Sequence, residues 1–157
     1  MHLHKYEKIW LGFGVFALIV FLSVVGVSAF HQGHTPSGGH MTIDPENVRG
    51  TAPFDEPGVH QREDGSYEVV IIAKAFGYEP SEIQVPVGEE VTFTVTSEDV
   101  VHSFSIVETN VNMMVVPGQV NHKTHTFSEE GSYLIVCNEY CGSGHHFMST
   151  EIEVIGQ

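Results

Sequence analysis

EIQVPVGEEVTFTVT, residues Glu82–Thr96, is the stretch that decides the fold. Its first part, Glu82–Gly88, is a β-rich run that ends on a glycine. In its second part, Val91, Phe93 and Val95 alternate with threonines, which puts three apolar side chains on one face of a strand. Similar runs lie on both sides. Tyr67–Ala73 precedes it, and Val101–Val107, Met113–Val116, His122–Phe127, Tyr133–Cys137 and Thr150–Ile155 come after it at short spacing. Gly118 and Glu130-Gly131-Ser132 punctuate them as turn signals. No amphipathic helix of 10–15 residues intervenes and no internal repeat is present, so a parallel α/β arrangement is excluded. The pattern predicts an all-β Greek-key sandwich or barrel over residues 67–157.

The N-terminal part is of another kind. Ile9–Phe30 is 22 residues without a charge, IWLGFGVFALIVFLSVVGVSAF. A helix of that length spans about 30 Å, the thickness of a hydrocarbon core. Gly12, Gly14 and Gly26 are tolerated in lipid, and Trp10 sits where an interfacial aromatic anchors a span. Val27-Ser28-Ala29 resembles a signal-peptide cleavage site, but the run exceeds the apolar core of about 7–15 residues that such peptides carry. A retained transmembrane helix over 9–30 is the expectation. Lys5 and Lys8 precede it, and no Lys or Arg occurs after it until Arg49. The positive-inside rule then makes residues 1–8 cytoplasmic and the rest extracytoplasmic, anchored to the plasma membrane by a single pass.

Residues 31–66 read as an extracytoplasmic linker and extended segment. HQGHTPSGG, 31–39, is polar and rich in Gly; His31, His34 and His40 at or beside it are expected to be solvated rather than ligating. Pro45, Pro53 and Pro57 break up residues 41–64, with one short helix expected around Pro45–Arg49. The chain holds 20 acidic residues against 6 Lys and Arg. Only one acidic and two basic residues precede His31, so the remainder carries a net charge of −15. Such a surface repels nucleic acid. It suits a basic partner or a saline habitat, and the composition resembles that of halophile proteins.

The chemistry lies in CNEYCGSGHHFM, residues 137–148. From the count alone, two cysteines beyond an export signal read as a disulfide. Their neighbours reverse that reading. Cys137, Cys141, His145 and Met148 form a soft donor set, which selects copper. Structural zinc sites do not use Met. A mononuclear blue-copper site needs one Cys, so the second is what bridging two metals requires. A second nitrogen ligand must come from elsewhere, and DVVHSFS supplies His102 in a strand-like run 35 residues before Cys137.

These residues resemble a family. CNEYCGSGHHFM is similar to the copper loop of cytochrome oxidase subunit II, and DVVHSFSI is similar to its first-histidine strand. The single N-terminal span and AFGYEPSEIQVPVGEEVTFTVTSEDVVHSFSI make the chain most similar to subunit II of B-family haem–copper oxidases. The resemblance implies a cupredoxin fold with a dinuclear CuA centre of two copper ions. Cys137 and Cys141 would bridge; His102 and Met148 would complete one copper, His145 and the Glu139 carbonyl the other. It leaves open a magnesium at the subunit I interface through the Glu139 carboxylate. Subunit I would carry the haems, oxygen reduction and any proton translocation. The donor would be a cytochrome c or a small blue-copper protein. The family's tryptophan-rich docking patch is missing, since Trp10 is the only Trp; Phe76 and Tyr78 are the nearest substitutes for donor docking. Phe104 and Phe147 are expected to pack around the metal, Met113 and Met114 to be core or lining residues, and His122, His125 and His146 to lie at the surface.

Three other classes fit less well. A membrane-anchored copper carrier for oxidase maturation needs exchangeable, exposed ligands. The CuA domain of a nitrous-oxide reductase comes with a propeller, for which 157 residues leave no room. A quinol oxidase subunit II has lost ligands that are all present here.

Overall fold

The structure, a computed structural model, describes residues 4–31 and 41–156. Helix α1, Lys5–Phe30, takes up the whole apolar run and one further turn. The Glu7 carboxylate accepts the His4 N–H at 2.7 Å and so satisfies one open donor of its first turn. Ser23 returns its hydroxyl to the Ile19 carbonyl at 2.8 Å, so its polar group stays paired on an apolar helix. By length and composition α1 can cross a membrane.

Residues 41–156 form two sheets. Eleven strands carry them: β1 Met41–Thr42, β2 Gly58–Gln61, β3 Tyr67–Lys74, β4 Gly77–Glu79, β5 Glu82–Pro86, β6 Glu90–Ser97, β7 His102–Ile106, β8 Asn112–Val115, β9 Gln119–Thr126, β10 Gly131–Val136 and β11 Ser149–Ile155. One sheet runs β1-β9-β6-β3-β2 with β4 on β3; the other runs β5-β11-β10-β7-β8. The chain changes sheet repeatedly, so strands far apart in sequence become neighbours. β3 lies parallel to β6, with Val69 beside Phe93, and β10 lies antiparallel to β7, with Val136 beside Ser105. The last pairing delivers the residue after Val136, Cys137, to the strand that begins at His102. The all-β sandwich expected from the alternation is the fold found.

The main core lies between the sheets and includes Val69, Ile71, Phe93, Val95, Phe104, Ile106, Ile135 and Ile152. Phe93 meets Phe104 at 5.5 Å between ring centroids, and Tyr78 meets Phe104 edge-on at 5.6 Å. Each such ring contributes on the order of 1.5–3 kcal/mol by burial. Cys137, Cys141 and Met148 belong to the same cluster, so the candidate ligands sit at the end of the core. Tyr133, partly buried, packs against it.

β3 is apolar on both faces, and the reason is a second core. Val70 and Ile72 point away from the first and meet Ile43, Val48, Phe54 and Val120. Ile43, Val48 and Phe54, in the segment between β1 and β2, thus cover the outer face of the first sheet. The short helix expected at Pro45–Arg49 is instead one 3-10 turn, Val48–Gly50, because two prolines and a glycine leave room for no more. The polar stretch 32–40, with His34 and His40, lies outside the described residues; His31 caps α1 and is exposed.

Candidate metal centre

Two pieces of chain make the site. The first is the β6–β7 turn and the start of β7. His102 is fully buried. Its Nε2 meets Asp99 Oδ1 at 2.7 Å, while its Nδ1 has no partner. An unpaired buried nitrogen costs about 1–3 kcal/mol unless something fills it, so this atom marks a ligand position. Asp99 is itself held: its carboxylate accepts the N–H of Val100 at 2.6 Å and of Ala75 at 2.7 Å. Burial alone would raise its pKa, but the bonds from His102, Val100 and Ala75 prevail and keep it below the usual carboxylate value.

The second piece is the loop between β10 and β11. Cys137 N–H donates to the Met148 carbonyl at 3.3 Å, closing its base. Inside it, His145 N–H bonds Gly142 O, and a 3-10 turn over His145–Phe147 returns Met148 N–H to His145 O at 3.0 Å. Side chains three apart in such a turn eclipse, which points His145 and Met148 to one side. Gly142 sits at φ +127°, a backbone that disfavours any side chain.

The pieces meet at Ser103. Its N–H points to Cys137 Sγ at 3.4 Å, and its hydroxyl accepts the Asn138 N–H. Tyr78 locks the arrangement by donating its hydroxyl to Ser103 O at 2.6 Å. One ligand atom each from His102, Cys137 and Cys141 lies within 4.8 Å of the others. The two sulfurs are 4.0 Å apart and both thiols are free. Cys141 Sγ also lies 3.5 Å from Met148 Sδ and 3.6 Å from His145 Nδ1, and Cys137 Sγ is 3.2 Å from the Glu139 carbonyl oxygen. All six residues named as ligands from sequence therefore converge. Burial, and then the neighbouring Cys137, push the Cys141 thiol up to about 11. A cation would reverse that and hold both sulfurs as thiolates. Soft, buried and with one vacant nitrogen lone pair, the donor set fits copper.

Some expectations need correction. Tyr78 is only 4% exposed and spends its hydroxyl on Ser103, so it is a core residue and no docking surface. Burial drives its phenol well above the usual range. Phe147 does not shield the metal: it is 74% exposed, because the 3-10 turn aims it away from His145 and Met148. Met114 is exposed, since it alternates with buried Met113 along β8. His125 is half-buried against Phe127 and Asn110, and burial lowers its pKa. Phe76 stays at the surface at 40% exposure, with Tyr140 in the loop at 79%. Asp99 and Ser103 escaped the sequence reading, although Asp99 lies three residues before His102, within reach of its ring. A shallow groove of about 1080 Å³ lies elsewhere, on the acidic face near Glu82, Glu151 and Glu153, and contains none of these residues.

The family model for the periplasmic domain of cytochrome c oxidase subunit II matches residues 78–155. A cytochrome c oxidase subunit 2 of Thermus thermophilus is 42% identical over 153 residues, covering 95% of this chain and 91% of that protein. The chain belongs to the cytochrome c oxidase subunit 2 family. A second family member from the same species is 43% identical over 124 residues, 78% of this chain and 92% of its own. Among solved structures, a chain of a heme-copper terminal oxidase dimer matches at 31% identity and TM-score 0.79, covering 96% of this chain and all of that one. The periplasmic domain of subunit II of cytochrome oxidase from Bradyrhizobium japonicum has TM-score 0.54 at 22% identity, over 57% of this chain and 84% of its own, and shows the fold. The fold is thus cupredoxin-like, with one apolar helix at the N-terminus.

Proposed function

We propose that this subunit is the electron-entry point of a haem–copper oxidase and that its loop and β7 hold a dinuclear CuA centre. The observation that carries the reading is the pair of free thiols 4.0 Å apart, within 4.8 Å of a ring nitrogen of buried His102, whose Nδ1 is unpartnered. Two sulfurs side by side are one too many for a single-copper site of the blue type. Cys137 and Cys141 would bridge, His102 and Met148 would serve one copper, and His145 with the Glu139 carbonyl the other. When bound, such a centre supplies one-electron exchange.

The chain's own residues supply the rest. Two walls pinned at Ser103 keep the ligand atoms in one arrangement through a change of charge. The core aromatics keep water from the sulfurs, and the N–H of Ser103 directed at Cys137 Sγ tunes its electron density. α1 would anchor the subunit with its N-terminus in the cytoplasm, and the copper domain would pass electrons to the haem of subunit I. A magnesium at Glu139 would need further ligands from subunit I. The donor, a cytochrome c or a small blue-copper protein, would dock by apolar contact near Phe76. Exposed Tyr140 and Phe147 favour that over charge steering. Steering falls steeply with salt, whereas apolar contact does not.

Elemental analysis and visible absorption of the copper-loaded full chain in detergent test the centre. Two coppers per chain and a purple spectrum are expected, with Cys141→Ser abolishing the spectrum or converting it to that of a single-copper site. One copper, zinc, or a purple spectrum that survives Cys141→Ser would refute the assignment.

A further inference from the structure

Both walls of the metal centre are touched by two successive residues of one turn. The turn joins β3 to β4 at Ala75 and Phe76. Ala75 N–H donates to Asp99 Oδ2 at 2.7 Å, and the other oxygen of that carboxylate meets His102 Nε2 at 2.7 Å. The next residue reaches the other wall. A Cβ added at Gly144 would lie within van der Waals overlap of the Phe76 ring, and one added at Gly142 would lie 3.1 Å from it. The ring thus occupies the space over the Gly142-Ser143-Gly144 segment between the second cysteine and His145. Its partial exposure fits a lid with one face on the loop and the other in solvent.

We infer that the Ala75–Phe76 turn braces the metal centre, with Asp99 positioning His102 and Phe76 positioning the copper loop. The inference rests on the dicopper reading and adds the reason the loop needs two glycines. The carboxylate of Asp99 holds the proton of His102 on Nε2, so the unpartnered Nδ1 keeps its lone pair free for a ligand. The groups facing that carboxylate are the N–H of Ala75 and Val100, the Ser97 hydroxyl and the His102 ring. None is a permanent cation. Phe76 does for the loop by contact what Asp99 does for the histidine by hydrogen bonding. With the ring gone, the loop would lose its cover and His145 could swing away from Cys141.

The test uses the copper-loaded full chain in detergent, with two readouts that need no electron donor: the visible and electron-paramagnetic spectra, and the rate of copper loss to a chelator. Asp99→Ala and Phe76→Ala are each expected to speed copper loss by about 10–100-fold, as removal of such supporting groups does, and to alter the spectrum. Phe76→Tyr should restore wild-type retention. Gly144→Ala should lose the purple spectrum, and Phe76→Ala/Gly144→Ala should regain part of it, because the atom that clashes has been removed. Phe76→Ala with unchanged spectrum and retention, slowing only reduction by a donor, would reduce Phe76 to a docking residue and overturn the brace. Gly144→Ala equally harmful with and without the ring would overturn it too. Failure of the dicopper reading looks different: the wild-type chain then holds one metal, and its retention still reports on Phe76.

Discussion

His102 and His145 stand on opposite walls of one centre and are held by different means. His102 opens a strand, is wholly buried, and is fixed through its far nitrogen by a carboxylate that takes three other bonds. His145 sits in a 3-10 turn, is half-buried, and has backbone bonds, the edge of Tyr140 at 5.9 Å and the Phe76 ring over the preceding glycines around it. One wall is scaffold and the other is a loop laid against it. The difference in burial predicts that solvent reaches the centre from the loop side and not from the strand side.

The sharpest way to break this contrast is to remove each imidazole and offer it back. His102→Gly and His145→Gly should each lose the purple spectrum, the largest effects expected. Added imidazole should restore it in His145→Gly, where the side chain already meets solvent. It should not do so in His102→Gly, where the void is sealed and the free ring must give up its motion to enter. Rescue of both, or of His102→Gly alone, would show that the walls do not differ in access.

Next in size is the second core, on the outer face of the sheet that does not contain β7. Phe54→Ala empties a fully buried site behind Val70 and Ile72. A loss of about 3–5 kcal/mol in unfolding free energy is expected. Below the unfolding transition the copper spectrum should be unchanged, because the main core still holds β7. A changed spectrum in the folded variant would mean that the outer core sets the geometry of the centre.

Met148→Leu perturbs the loop wall by less. The swap conserves volume in the core and costs under about 1.5 kcal/mol. A thioether is a weak ligand, so both coppers should stay while the potential shifts and electron transfer slows. Loss of all copper would place Met148 among the strong ligands.

Much of this was legible in the sequence, and the parts that were not share a cause. The strands followed from period-two alternation, and the candidate ligands from residue types grouped in one loop together with a histidine 35 residues upstream. Phe54 was not legible, because a lone aromatic among prolines carries no period. The doubly apolar β3 was visible as VVIIA, but what covered its second face was not. Tyr78 was misplaced for a related reason: next to half-exposed Phe76 it reads as a surface pair, and only the register of β4 on β3 turns its hydroxyl inward to Ser103. Asp99 shows the same limit. A carboxylate three residues before a histidine is common, and its role appears only once the β6–β7 turn closes.

The smallest expected effect concerns a clamp behind the strand wall. Arg49, in the covering segment, grips Glu79 of β4 through two nitrogens at 2.9 and 3.0 Å and reaches Glu98, the neighbour of Asp99, at 2.9 Å. Lys74 adds a bond to Glu79 at 2.6 Å. Arg49 first, then Lys74, hold Glu79 down to about 2, against an ordinary value of 4.5. A depressed folded pKa means stability that is present above pH 4.5 and is lost as the pH falls toward about 2, when the carboxylate protonates. The groups are about a third to a half exposed, so solvent screening limits the contribution to roughly 1 kcal/mol or less. Arg49→Ala should therefore lower stability slightly at pH 7 and flatten the acid limb of the stability curve between pH 4.5 and 2. The copper spectrum should not move, because Asp99 is held by backbone N–H groups and not by Arg49. A spectral shift in Arg49→Ala would extend the strand wall outward to the covering segment, and the contrast with the loop would then lie in depth of support and not in burial of the ligand.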